Sequence, residues 1–207
     1  MQSLRDPDIS IRRRALDILY LMCSSQTAGK VIEDLLSYVD ESDLLFREEL
    51  VLKIAILAEK FADDLMWYID VVIRLVSQSG EYVTDDIWYR IVQIITGFGV
   101  EASPELQKYA CLKLYNALNV PHVHETLVKI GSFIISEYAE FLIDAGKDPK
   151  KIFETLNRHF GDCSEKGKAI LLSGYVKLAN KFEDLVDEIQ AVFQLQVHTI
   201  ERREGGG

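Results

Sequence analysis

Five stretches of this 207-residue chain place apolar residues at one set of offsets, i, i+4, i+7, i+8 and i+11. They are Ile11, Ala15, Ile18, Leu19 and Met22; Leu50, Ile54, Leu57, Ala58 and Phe61; Ile87, Ile91, Ile94, Ile95 and Phe98; Leu127, Gly131, Ile134, Ile135 and Tyr138; and Leu171, Tyr175, Leu178, Ala179 and Phe182. Offsets of three and four residues gather side chains on one side of an α-helix, so each stretch predicts a helix that buries a single face. Nothing in the chain marks a sheet, and no Asn-Gly or Asp-Gly pair supplies a hairpin turn.

A second helical pattern lies after each template, anchored by Ile32 with Leu36, Ile69 with Ile73, Ala110 with Leu114, Ile152 with Leu156, and Ile189 with Phe193. Ten helices in five pairs follow. The templates begin at residues 11, 50, 87, 127 and 171, in steps of 39, 37, 40 and 44 residues. A period near 40 residues per pair is that of HEAT and armadillo repeats, so the expected fold is all-α: a right-handed α-α superhelix of about five helix pairs. Helix starts are marked by Asp6-Pro7, Ser103-Pro104, Val120-Pro121 and Asp148-Pro149, and by Thr84-Asp85-Asp86 and Ser164-Glu165. Each combines a capping oxygen, a proline that needs no amide donor, or a carboxylate suited to the positive end of the helix dipole. Residues 1–203 read as one solenoid. Residues 204–207, Glu-Gly-Gly-Gly, read as a linker remnant, and the chain as a piece of a longer solenoid whose first and last helices keep an apolar end face.

Composition narrows the function classes. With 48% hydrophobic residues the chain has enough apolar matter for a core, yet no run reaches the roughly 18 apolar residues of a membrane span. The start, Met1-Gln2-Ser3-Leu4-Arg5-Asp6, lacks the features of a signal peptide, and Cys23, Cys111 and Cys163 are too scattered for a disulfide framework, so the expectation is an intracellular chain. Against 33 acidic residues stand 23 basic ones, a net charge of −10, which disfavours nucleic acid and anionic lipid as partners of these residues.

Catalytic and metal-binding patterns fail on the same terms. Gly161-Asp-Cys-Ser-Glu-Lys-Gly167-Lys168-Ala169 has one residue too many between its glycines for a phosphate loop and no hydroxyl after Lys168 to hold magnesium; it reads as a turn into the helix at Ser164. His122, His124, His159 and Cys163 offer donor atoms without ligand spacing, and capping or packing is their expected role. Glu48-Glu49, Asp63-Asp64 and Asp85-Asp86 are neighbours on helices, where adjacent side chains diverge. Arg12-Arg13-Arg14 is the densest positive cluster and reads as an exposed face or a partner contact. Trp67, Tyr68, Trp88, Tyr89, Tyr115 and Tyr138 lie on or beside the apolar stripes, as core residues would, rather than as a base-stacking platform. No catalytic, metal-binding or cofactor-binding residue is therefore expected, and surface positions carry no motif that assigns partner-binding residues.

Particular runs carry a resemblance. Glu48-Glu49-Leu50-Val51-Leu52-Lys53-Ile54-Ala55-Ile56-Leu57-Ala58-Glu59-Lys60-Phe61, Trp67-Tyr68-Ile69-Asp70 and Gly80-Glu81-Tyr82-Val83 resemble the trunk of the large adaptins of clathrin adaptor complexes. Ile87-Trp88-Tyr89-Arg90-Ile91-Val92-Gln93-Ile94-Ile95 and His124-Glu125-Thr126-Leu127-Val128-Lys129-Ile130-Gly131 are similar to the alpha adaptins of the plasma-membrane adaptor rather than to gamma or beta chains. The resemblance runs from Pro7 to Val192 and takes in the helix at Ile11-Arg12-Arg13-Arg14-Ala15-Leu16. It departs at residues 97–107 and 140–151, whose length and content suggest a distant eukaryotic source, and at Ser132, where the family pattern has a second glycine.

The resemblance implies a non-enzymatic middle segment of an alpha adaptin trunk, supporting adaptor assembly in clathrin-mediated endocytosis and vesicle transport. It implies a cytoplasmic location, at the plasma membrane in clathrin-coated pits. The implied partners are the small, medium and beta-type large chains of the complex, together with regulators or assembly chaperones, and no nucleic acid or cofactor. The family's lysine-rich phosphoinositide site and its appendage lie in other parts of the alpha chain, so the parent would be peripherally membrane-associated through regions outside these residues. Two alternatives stand beside this reading: a gamma-type adaptin trunk serving the trans-Golgi network and endosomes, and a generic HEAT or armadillo binding scaffold. A helical-repeat enzyme or nucleic-acid binder would instead need a convergent titratable cluster or a basic groove.

Overall fold

A computed structural model describes residues 2–97 and 103–204, the last helix by its backbone alone beyond residue 196. Among the described residues there are eleven α-helices and no strand. The five templates form α1 (Ile9–Met22), α3 (Leu44–Lys60), α5 (Asp85–Thr96), α7 (Glu125–Glu137) and α10 (Glu165–Lys181). Their second members are α2 (Ala28–Val39), α4 (Leu65–Ser79), α6 (Pro104–Leu118), α9 (Pro149–Asn157) and α11 (Val186–Glu204), and a short extra helix, α8 (Glu140–Asp144), sits between α7 and α9. The protein is thus all-α and of the HEAT or armadillo kind. Phe98, the last member of the third template, and the terminal triple glycine lie outside the described residues.

Local chemistry sets the helix starts. Asp8, Asp43, Asp64, Asp148 and Ser164 occupy N-cap positions and accept hydrogen bonds from Ser10, Phe46, Met66, Lys150 and Gly167 amides, respectively. Each satisfies a donor that the first turn leaves without a carbonyl. Pro104 and Pro149 begin their helices, as the sequence predicts. Pro7 and Pro121 do not: α1 is capped one residue later by Asp8, and α7 is capped by His124. Thr84 occupies the N-cap position of α5 without a bond from its hydroxyl, and the carboxylates of Asp85 and Asp86 furnish the first turn instead. In the stretch 140–151, α8 is closed by Gly146, whose φ of 78° lies in the left-handed region. There the Lys147 amide reaches back to the Leu142 carbonyl at 2.9 Å.

The chain divides into two compact units, Met1–Leu106 and Gln107–Gly207. In the first, α3 packs on α1, α2 and α4 and buries Leu50, Ile54, Leu57 and Ala58 of its template completely. The α1 template is not buried as those of the later first helices are. Its side chains face outward, with Ile11 46%, Ile18 49% and Met22 75% exposed, and the residue that α1 buries is Leu16, beside Leu4.

In the second unit the dominant seam is between α7 and α10. Ser132, Ser136 and Gly174 are all buried along it. A Cβ added to Gly174 would stand 2.7 Å from Ser132 Oγ and 3.4 Å from the Ser132 carbonyl oxygen. The helices approach so closely that neither can carry a larger residue there.

Candidate interaction surface

Polar side chains in a solenoid can serve the stack or the outside, and here nine links among the described residues serve the stack. Arg12 pairs with Asp43, Arg13 Nε donates to Glu49 at 2.5 Å, and Lys53 lies 3.4 Å from Asp17. Arg74 donates to Glu33 at 2.7 Å, Arg90 Nη2 to Glu59 at 2.6 Å, and Lys177 to Glu137 at 2.7 Å. Thr155 donates to Asn119, His159 Nε2 meets the Leu118 carbonyl at 2.8 Å, and Ser164 bonds Glu125. Every one of these links spans between 31 and 41 residues, one repeat. The exposed pairs are each worth at most about 1 kcal/mol, so their value is register between neighbouring pairs rather than bulk stability.

The sequence candidates fall into this pattern. Within the phosphate-loop-like segment, the start of α10 is already filled: the Ser164 amide and hydroxyl donate to the two Glu125 carboxylate oxygens at 2.6 and 2.7 Å. Gly167 makes room for that carboxylate, because a Cβ there would lie 2.9 Å from Glu125 Cδ. Burial alone would raise the Glu125 pKa, but the Lys129 ammonium and the Ser164 donors overcome it and hold the carboxyl down at about 2. This carboxylate takes the place an anion would occupy at the helix dipole.

The histidines are kept apart in role. His122 is exposed, His124 accepts from the Thr126 amide at 3.2 Å as a cap, and His159 is buried on the Leu118 carbonyl. Cys163 is buried, and burial first, then the Glu125 and Asp162 charges, push its thiol up to about 11. Among the described residues no group of three or more His, Cys, Asp or Glu is arranged to hold a metal ion. The acidic doublets also split: Asp64 caps α4 and Asp85 accepts from the Trp88 indole at 2.8 Å, while Asp63 and Asp86 are exposed. Tyr68, Trp88 and Tyr115 are core residues, and Tyr89 lies against Trp88 with ring centroids 4.0 Å apart.

Among the described residues, two apolar grooves stand out in the first unit. One is the α1 face, a groove of about 540 Å³ lined by Ile11, Arg14, Ala15, Ile18 and Leu19. The other lies between α3 and α5, about 390 Å³, walled by Leu52, Ala55, Ile56 and Ile87 with Tyr68 also lining it. The Glu59–Arg90 pair closes its rim, and burial, with the Glu59 charge, raises the Tyr68 hydroxyl pKa above its ordinary value. The α3–α5 groove was not signalled by the repeat template, which records one stripe per helix. Its signal is a second stripe on α3, Leu45, Leu52 and Ile56, at offsets of seven and eleven residues.

Comparison with known proteins agrees with this architecture. The chain is 44% identical over 193 residues to the AP-2 complex subunit alpha-2 of Dictyostelium discoideum, covering 93% of this chain and 19% of that protein. It is 43% identical over 197 residues to the AP-2 complex subunit alpha-1 of Arabidopsis thaliana, again covering 93% of this chain and 19% of the relative. Against the Arabidopsis thaliana AP-1 complex subunit gamma-2 the identity falls to 29% over 206 residues, covering 93% of this chain and 23% of that subunit. The chain thus spans about a fifth of the length of these alpha relatives. The description of the adaptin N-terminal region matches residues 1–204, and the chain belongs to that family.

Proposed function

We propose that this chain is a stretch of the trunk of an alpha adaptin, acting as a non-enzymatic scaffold in the assembly of the plasma-membrane clathrin adaptor, and through it in clathrin-mediated endocytosis and vesicle transport. The observation that carries the reading is the gap between 44% identity to an AP-2 alpha subunit and 29% to an AP-1 gamma subunit over nearly the same residues. The geometry supports it. Charged side chains tie one helix pair to the next, and the exposed apolar surface is that of a chain with neighbours. The proposed partners are the small, medium and beta-type large chains, with regulators or assembly chaperones. The proposed place of action is the cytoplasmic face of the plasma membrane in coated pits, the membrane being held by regions outside these residues.

The test is affinity capture of the intact parent from its source cell, with identification of the small and medium chains that come with it. Plasma-membrane adaptor chains are expected. Recovery of the trans-Golgi set in their place would overturn the alpha assignment, and recovery of no adaptor chain would overturn the scaffold reading.

A further inference from the structure

The α3 helix is apolar on more than one side. Phe46, Leu50, Val51, Ile54, Leu57 and Ala58 are buried in the stack, and that set accounts for the helix's place in the fold. Leu45, Leu52 and Ile56 are nevertheless 76%, 46% and 39% exposed, and their spacing puts them on one other side of the helix. The second stripe leads into the groove between α3 and α5, whose lining is mostly aliphatic.

The charges around the groove have a sign. Its one guanidinium is spent internally: Arg90 Nε and Nη2 both donate to Glu59 Oε1, at 2.9 and 2.6 Å. Asp86 lines the groove and Glu48 lies four residues before Leu52 on the same side of α3, and among the described residues neither carboxylate has an ion-pair partner. The α5 dipole accounts for Asp86, which stands in the first turn; Glu48 is exposed beside the groove. An apolar floor between uncompensated carboxylates is complementary to an aliphatic stripe flanked by ammonium or guanidinium groups.

We propose that the groove between α3 and α5 is a docking site for an amphipathic helix of a partner protein, one that inserts aliphatic side chains against Leu52, Ile56 and Ile87 and sets Lys or Arg beside Glu48 and Asp86. The inference rests on the scaffold reading and fails separately from it, since the parent can assemble with its subunits whether or not this groove prefers cationic helices.

The probe is a fluorescent synthetic peptide of Leu and Lys, about four helical turns long with Leu on one face, beside a counterpart carrying Glu for Lys. Anisotropy titrations against the chain should show the Lys peptide binding about tenfold or more tighter than the Glu peptide. The double variant Leu52→Asp with Ile56→Asp should weaken the Lys peptide by about tenfold or more, with the unfolding midpoint unchanged. Ile18→Asp, on the open α1 face, should leave binding unaltered. Should the aspartates disturb folding, the surface variant Glu48→Lys with Asp86→Lys carries the test: it should reverse the preference between the two peptides. Equal binding of both peptides, loss of binding through Ile18→Asp, or no response to the charge reversal would overturn the proposal. Uptake of the chain by phosphatidylcholine vesicles that depends on Leu52 would overturn it in favour of a membrane.

Discussion

The α7–α10 seam and the α3–α5 seam join equivalent helices of neighbouring repeats, yet one is closed and the other open. At α7–α10 the meeting residues are Ser132, Ser136 and Gly174, and at its end Gly167 admits the Glu125 carboxylate. At α3–α5 they are Leu52, Ile56, Ile87 and Arg90, and about 390 Å³ is left between them. Side-chain size at the crossing, more than apolar content, decides whether a seam becomes core or surface.

The sharpest way to break this contrast is to enlarge the closed seam. Gly174→Leu forces its side chain into Ser132 and its carbonyl, and should cost about 3 kcal/mol or more, read as a lowered midpoint in urea unfolding. Glu125→Gln is next. It keeps the shape but removes the charge that receives Lys129 and Ser164, so about 1–2 kcal/mol should be lost at pH 7. The pH dependence has a definite sign. The folded carboxyl titrates at about 2, below the roughly 4.3 of an unfolded glutamate, so its contribution is complete above pH ~4.3 and fades as pH falls toward 2. The gap between the parent chain and the Gln variant should therefore narrow over that window.

Ser132→Ala works the other way. The Ser132 hydroxyl is buried and has no hydrogen-bond partner among the described residues, so its removal should leave stability unchanged or raise it by up to about 1 kcal/mol. Smallest of all is Leu52→Asp in the open seam, expected within about 0.5 kcal/mol because the side chain is already about half exposed. A large loss there would mean that the α3–α5 groove is core after all.

The ten principal helices were legible because one apolar offset set recurs five times, and tertiary packing enforces that period. α8 was not: five residues are too few for a periodic signal, and its end is set by the left-handed backbone at Gly146. The α1 stripe shows a limit of another kind. Periodicity says that Ile11, Ile18 and Met22 share a face; it carries no information on what covers that face. Glu125 escaped for a related reason. It stands in a helix start like other acids, and its partner Ser164 is 39 residues away, visible only when polar residues are compared at the repeat distance. Ser132, singled out as a departure from the family pattern, proves to be the residue that fills the narrowest point between α7 and α10.

The links that hold register reach about one repeat along the chain, from Arg90 back to Glu59 as from Lys177 back to Glu137. Bonds of such short reach are indifferent to how many repeats a chain contains. Duplicating or deleting a whole helix pair reforms the contacts at one new boundary and leaves the rest as they were, whereas inserting a few residues inside a helix rotates every partner beyond the insertion off its mate. Proteins joined in this way change length by whole modules, and small insertions are confined to the turns between helices.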